Sequence, residues 1–213
     1  MKIEAVIFDL DGTIANTLPL CIAAFRKSIE PLLQRSVSDE EIIASFGPSE
    51  EGTIRKLIPE HEEEGVKAYV QNYADMHDTC PVAFEGIKEL LELLKDNGVK
   101  LAMITGKGQH STRISLDRFS LAEYFEILET GSPEGPNKVN GLINVLDRLN
   151  SNITNTIYVG DASSDITYCQ QLTIPIAAAA WAGTANVNEL ELLNPDWIFY
   201  SVGEFRDWIS GEI

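Results

Sequence analysis

Apolar and polar positions along this chain fall into two recurring patterns. Short, β-rich apolar runs return at residues 3–10, 99–104, 125–129, 156–159 and 174–179. Each is shorter than a typical helix and nearly continuous in its apolar character, so each predicts a strand buried on both faces. Residues 197–200 predict a sixth strand at an edge. Between the runs the period changes. Residues 86–97 place Ile87, Leu90, Leu91 and Leu94 on one helical face, and Gly98 stops the pattern. Residues 137–149 repeat that face with Leu142, Val145, Leu146 and Leu149. Buried strands alternating with helices of this length predict an α/β fold with a doubly wound, Rossmann-like parallel sheet.

The alternation breaks between residues 15 and 80, where no strand pattern occurs. Residues 20–33 carry Ile22, Phe25, Ile29, Leu32 and Leu33 at helical spacing. Ser38-Asp39-Glu40-Glu41 has the form of a capping box opening a second helix. Gly47-Pro48-Ser49 is a turn, and residues 49–57 and 60–77 predict two further helices. The chain therefore divides into an α/β core, residues 1–14 and 81–213, and an all-helical cap, residues 15–80, inserted after the first strand. Pro81 marks the return to the core.

Composition narrows the functional classes. The 213 residues carry 33 acids against 16 Lys and Arg, a net charge of −17. Such a surface repels nucleic acid and anionic lipid, so neither is expected as a partner. An anionic substrate requires concentrated local positive charge, from a bound cation, a lysine or helix N-termini. Cys21, Cys80 and Cys169 form no disulfide framework and no metal-ligand pair, which fits reduced thiols in a cytoplasmic protein. The first apolar run is short and ends in Asp9 and Asp11, so it does not read as a signal peptide. No run approaches the roughly 18 apolar residues of a membrane span. His61, His77 and His110 lack metal-ligand spacing and are expected at the surface. Oligomeric state is not readable.

Four segments carry chemistry, each at the carboxyl end of an expected strand or the start of the next helix. In Asp9-Leu10-Asp11-Gly12-Thr13, residues two apart project the same way, so two carboxylates converge where ligand sites of open α/β sheets lie. Their repulsion is relieved by a hard divalent cation, and Gly12 permits an abrupt turn. Ile104-Thr105-Gly106 offers a hydroxyl and an amide to phosphate oxygens, although Thr-Gly after a strand is usually only a turn. Lys138 starts a helix, where it opposes the helix dipole; a phosphate nearby would account for it, as would a solvated surface position. Gly160-Asp161 ends a strand, and Asp165 follows one turn on, placed either to hold a cation or to cap the helix. In a parallel sheet these four places meet.

This ordered set resembles the haloacid dehalogenase-like superfamily of phosphohydrolases, within it the phosphoglycolate phosphatase and pyrophosphatase branch with a small helical cap. The resemblance covers essentially the whole chain. It implies Asp9 as nucleophile, Asp11 as general acid–base with its backbone carbonyl offered to the metal, Thr105 as phosphoryl binder and Lys138 as neutralising charge. Asp161 would ligate magnesium (Mg2+), with Asp165 a further ligand or a partner of Lys138. Asp9, Asp11, Asp161 and Asp165 are thus the expected metal group. Gly106, Gly12, Thr13 and the cap turn Gly47, Pro48 and Ser49 would contact a small phosphorylated metabolite, phosphoglycolate or pyrophosphate among the possibilities. The chain departs from the pattern at Asn16, where members often carry aspartate, and after Lys138, where prolines are common; Lys107 is the alternative lysine. Trp181 would line the site edge or simply pack. A dehalogenase or a phosphonate-cleaving relative would lack Asp11. A phosphomutase would keep all four motifs and need a sugar bisphosphate. A non-catalytic acidic binding protein would not need the acids intact.

Overall fold

The computed structural model describes residues 2–213. Six strands form one parallel sheet in the order β3-β2-β1-β4-β5-β6: β1 Ala5–Phe8, β2 Lys100–Ile104, β3 Ile127–Glu129, β4 Thr156–Gly160, β5 Ile176–Ala179 and β6 Trp197–Phe199. Every expected strand is present; five are trimmed by one to four residues where the apolar run outlasts the ladder, and β4 runs one residue longer, through Gly160. Strand alternation sends successive residues to opposite faces. Val6 and Phe8 of β1, Leu101 and Met103 of β2, and Ile157 and Val159 of β4 enter one core, closed by Ile87, Leu90, Leu91, Leu94 and Phe205. Ala5, Ile7, Ala102, Ile104 and Tyr158 enter the other, closed by Leu142, Val145, Leu146 and Leu149. These strands are covered on both sides, which is why their sequences read as unbroken apolar runs. Burying a side chain such as Phe8, which meets Phe125 and Phe205 edge-on at 6.4 and 6.5 Å, contributes about 1.5–3 kcal/mol.

Four helices fall within residues 15–80, after β1: α1 Leu18–Leu33, α2 Asp39–Ile43, α3 Glu50–Leu57 and α4 Glu62–Met76. They enclose a third apolar cluster of their own around Phe25, Ile29, Ile54, Tyr69 and Tyr73. Ser38 accepts from the Glu41 amide at 3.2 Å, but the Glu41 carboxylate pairs with Arg35 instead of returning to the cap, so only half of the expected capping box forms. The remaining helices are α5 Ile87–Asp96, α6 Gln109–Phe119, α7 Lys138–Leu149, α8 Ser163–Leu172, α9 Val187–Leu192 and α10 Val202–Ile209. Helix α6 escapes hydrophobic periodicity because much of its buried face is small and polar, with Ser111, Thr112 and Ser115 beside Leu116. Among the described residues no helix is long and apolar enough to cross a membrane. Cys21, Cys80 and Cys169 are all buried and unpaired.

One expectation fails here. His77 is not at the surface but fully buried. Its ring packs against Tyr73 and Phe119, and its Nε2 lies 3.0 Å from the Ser115 hydroxyl. His61 and His110 are exposed as expected.

Candidate active site

The strand order reverses between β1 and β4, so the chain ends leaving β1, β2 and β4 face one crevice. Asp9 leaves β1 with its amide still bound to the Val159 carbonyl at 2.9 Å, which fixes its backbone to the sheet. Lys138, the first residue of α7, reaches back so that its ammonium donates to Asp9 Oδ2 at 2.6 Å and to Asp165 Oδ1 at 2.5 Å. Burial opposes the charge on Lys138, yet Asp165 and Asp9 together hold its pKa well above the ordinary lysine value. Asp165, in the first turn of α8, also accepts from the Tyr158 hydroxyl at 3.2 Å and from the Ala162 amide at 3.3 Å. Its oxygens are committed to positioning Lys138 and capping α8.

Asp161 follows β4. Thr13 donates to its Oδ1 at 3.2 Å, and the Thr13 carbonyl in turn accepts from Trp181 Nε1 at 3.0 Å. Trp181 therefore braces the turn after β1 and packs against Phe205 at 6.3 Å between ring centroids. Gly12 has φ +72° and lies against the Asp161 carboxylate, where any Cβ would overlap it. Glycine is required there both by the backbone and by the close approach.

Asp9, Asp161 and Asp165 each offer a carboxylate oxygen within 4.8 Å of the others. Burial, then the charges of Asp9 and Asp165, pushes Asp161 up to about 8. Burial and the nearby Asp165 and Asp11 raise Asp9 to about 6, against the lowering effect of Lys138. Carboxylates so crowded fit a divalent cation. The Asp11 side chain lies outside this group, and the expected contribution of Asp11 is through its backbone carbonyl. Its carboxylate turns to the Thr17 hydroxyl and to Lys107, whose ammonium lies 3.3 Å away.

A cavity of about 290 Å³ opens above Asp9 and Asp11. Thr105, Gly106 and Lys107 from the loop after β2 line it on the sheet side; Leu18, Phe25, Phe46 and Pro48 form an apolar wall on the helical side. Gly47 and Pro48 line the cavity, but Ser49 does not. Ser49 is buried, and its hydroxyl donates to Glu51 at 2.5 Å. Asn16, where the chain departs from the superfamily pattern, is exposed. Lys138 lies against Asp9 and Asp165, while Lys107, the alternative lysine, lies beside Asp11 and Glu50. The roles of Thr17 and Glu50 escape the sequence, since a threonine and a glutamate at helix starts read simply as caps.

Crowded carboxylates and a buried lysine at the carboxyl ends of a doubly wound parallel sheet, beside a cavity, mark the active site of a hydrolase. The chain belongs to the haloacid dehalogenase-like hydrolase family, whose model matches residues 6–179. Pyrophosphatase PpaX of Halalkalibacterium halodurans is 29% identical over 99% of this chain and 98% of its own length. A protein of Caldanaerobacter subterraneus subsp. tengcongensis that also bears the name PpaX is 31% identical over 99% and 96%. Among solved structures, CbbY from Rhodobacter sphaeroides in complex with phosphate superposes with a TM-score of 0.81 at 18% identity, covering 95% of this chain and 96% of its own. A hydrolase from Pseudomonas syringae does so with 0.78 at 19%, covering 97% and 98%. These two likenesses concern the fold.

Proposed function

We propose that this phosphatase is magnesium-dependent and hydrolyses a small phosphate monoester of the phosphoglycolate type, or pyrophosphate, through an aspartyl-phosphate on Asp9. One observation carries the reading: Asp9 stands at the tip of β1, with Oδ2 accepting from Lys138 and Oδ1 from the Leu10 amide, and lines a cavity that Asp11 shares. Its pKa of about 6 leaves it ionised at neutral pH, as a nucleophile must be.

Asp9 attacks phosphorus, and the bond to the leaving oxygen breaks as Asp11 donates a proton to it. Asp11 then takes a proton from the water that attacks the aspartyl-phosphate, releasing phosphate and restoring Asp9. General acid–base assistance of this kind supplies roughly 10²–10⁴-fold. Lys138, Thr105 and the Gly106 amide neutralise and orient the equatorial phosphoryl oxygens, where phosphoryl transfer gains most. Magnesium held by Asp9 and Asp161, when bound, supplies the charge that draws a phosphate dianion into this acidic crevice. The helical segment 15–80 serves as a cap that excludes water and admits a small leaving group.

The PpaX relatives support pyrophosphate. The apolar wall of Leu18, Phe25, Phe46 and Pro48 supports a compact organic leaving group instead. Release of phosphate from pyrophosphate and from phosphoglycolate, each with magnesium, separates the two by kcat/KM. Asp9→Asn is expected to fold normally and to lose at least about 10³-fold in kcat. Turnover near the wild-type level in that variant would overturn the nucleophile assignment.

A further inference from the structure

We infer that Glu50 is a positioning residue that latches the cap onto α6 and, through Lys107, fixes the acid–base Asp11. The inference rests on the phosphatase reading above. Helix α6 starts at Gly108, which has no side chain to cap it, and its first turn contains no acid. The missing acceptor comes from elsewhere in the chain. The Glu50 carboxylate, from the first turn of α3, accepts from the Gly108 amide and from the Ser111 hydroxyl, and Tyr69 donates to it at 3.3 Å. A carboxylate at a helix N-terminus is favoured both by the free amides and by the dipole. The fit is close: a Cβ at Gly108 would lie 2.8 Å from Glu50 Oε2 and 2.7 Å from Glu51 Oε2, although φ there is an ordinary −69°.

Lys107 lies next to this contact and is almost fully buried. Its ammonium sits 3.6 Å from Glu50 Oε1 and 3.3 Å from Asp11 Oδ1, between a carboxylate of the cap and one of the core. The rest of its surroundings also come from the cap: Cys21 Sγ is at 2.7 Å, and the Tyr73 ring centroid is at 4.5 Å. If the cap swings away, Glu50, Cys21 and Tyr73 leave together. Lys107 then keeps only Asp11 and gains water, and α6 loses its cap. Closure therefore does two things at once: it seals the cavity and places the Lys107 charge that orients the Asp11 carboxylate. Asp11 matters most when the leaving oxygen is a poor leaving group that must be protonated, and least for p-nitrophenolate.

Two variants test this. Glu50→Gln removes the charge and keeps the shape; Gly108→Ala displaces the Glu50 carboxylate and leaves the charge in place. Both are expected to raise hydrogen exchange at the amides of residues 108–111 by about tenfold or more, with the amides of residues 100–104 unchanged. Both are also expected to lower kcat/KM for an alkyl phosphate about tenfold more than for p-nitrophenyl phosphate. Unchanged exchange at 108–111 in both variants would overturn the latch. Equal losses on the two esters would overturn its link to Asp11. A wild-type enzyme that cleaves neither ester and releases no phosphate from pyrophosphate would instead sink the reading above, and the exchange measurement would still decide the latch.

Discussion

His77 shows how a single side chain can defeat a one-dimensional reading. Nothing in its neighbours announces burial, yet it lies between Tyr73 and Phe119, bonded only through Nε2, and its Nδ1 has no partner. Burial, then the charge of Arg118, lowers its pKa below the ordinary histidine value. The unfolded chain, with a histidine near 6.5, therefore takes up a proton before the native state does as pH falls. Stability carried by neutral His77 is complete above about pH 6.5 and is lost on acidification towards its native pKa. His77→Gln, which cannot ionise, is expected to show a smaller fall in urea-unfolding free energy between pH 7.5 and 5.5 than the wild type. An equal fall would mean that other groups account for it. Asp9, Asp161 and Lys138, by contrast, stood out as candidates in the sequence because their segments fall in order at strand ends that a parallel sheet brings together. Glu50 and Thr17 did not, because polar residues at helix starts have an ordinary explanation whether or not they face a site, and Ser49, expected at the cavity, bonds to Glu51 instead.

At the level of elements, the strands and the helices with leucine-rich faces were readable because their periods are unmixed. Helix α6 was not, since serines and threonines take the place of apolar residues on its buried side. The turn after β1 depends on one conformational requirement. Gly12→Ala would place a left-handed residue at φ +72° and drive its methyl group into Asp161. The strain alone costs about 1–2 kcal/mol. Thermal unfolding is expected to register that loss, and magnesium-dependent turnover is expected to fall at least tenfold because Asp161 must move. A variant with unchanged kcat would show that Asp161 tolerates displacement.

For the whole molecule, a net charge of −17 concentrates repulsion wherever acids crowd. The Asp9, Asp161 and Asp165 group is one such place, so a divalent ion bound only by the native state should stabilise the entire fold by mass action. Millimolar magnesium is expected to raise Tm by several degrees relative to EDTA, and Asp161→Asn is expected to remove most of that increment. An increment that survives intact would place the cation elsewhere.

The two strands of chain that join the helices to the sheet run side by side: the amide of Phe84 donates to the carbonyl of Ile14 at 2.9 Å. Departure and return thus occur at practically one point on the sheet. A lineage could exchange everything between those points, for a larger lid or none, by a single splice, and β1, with the nucleophile at its end, would keep its register between β2 and β4. With the helical segment as the proposed cap, what the enzyme accepts and how it cleaves would be heritable separately.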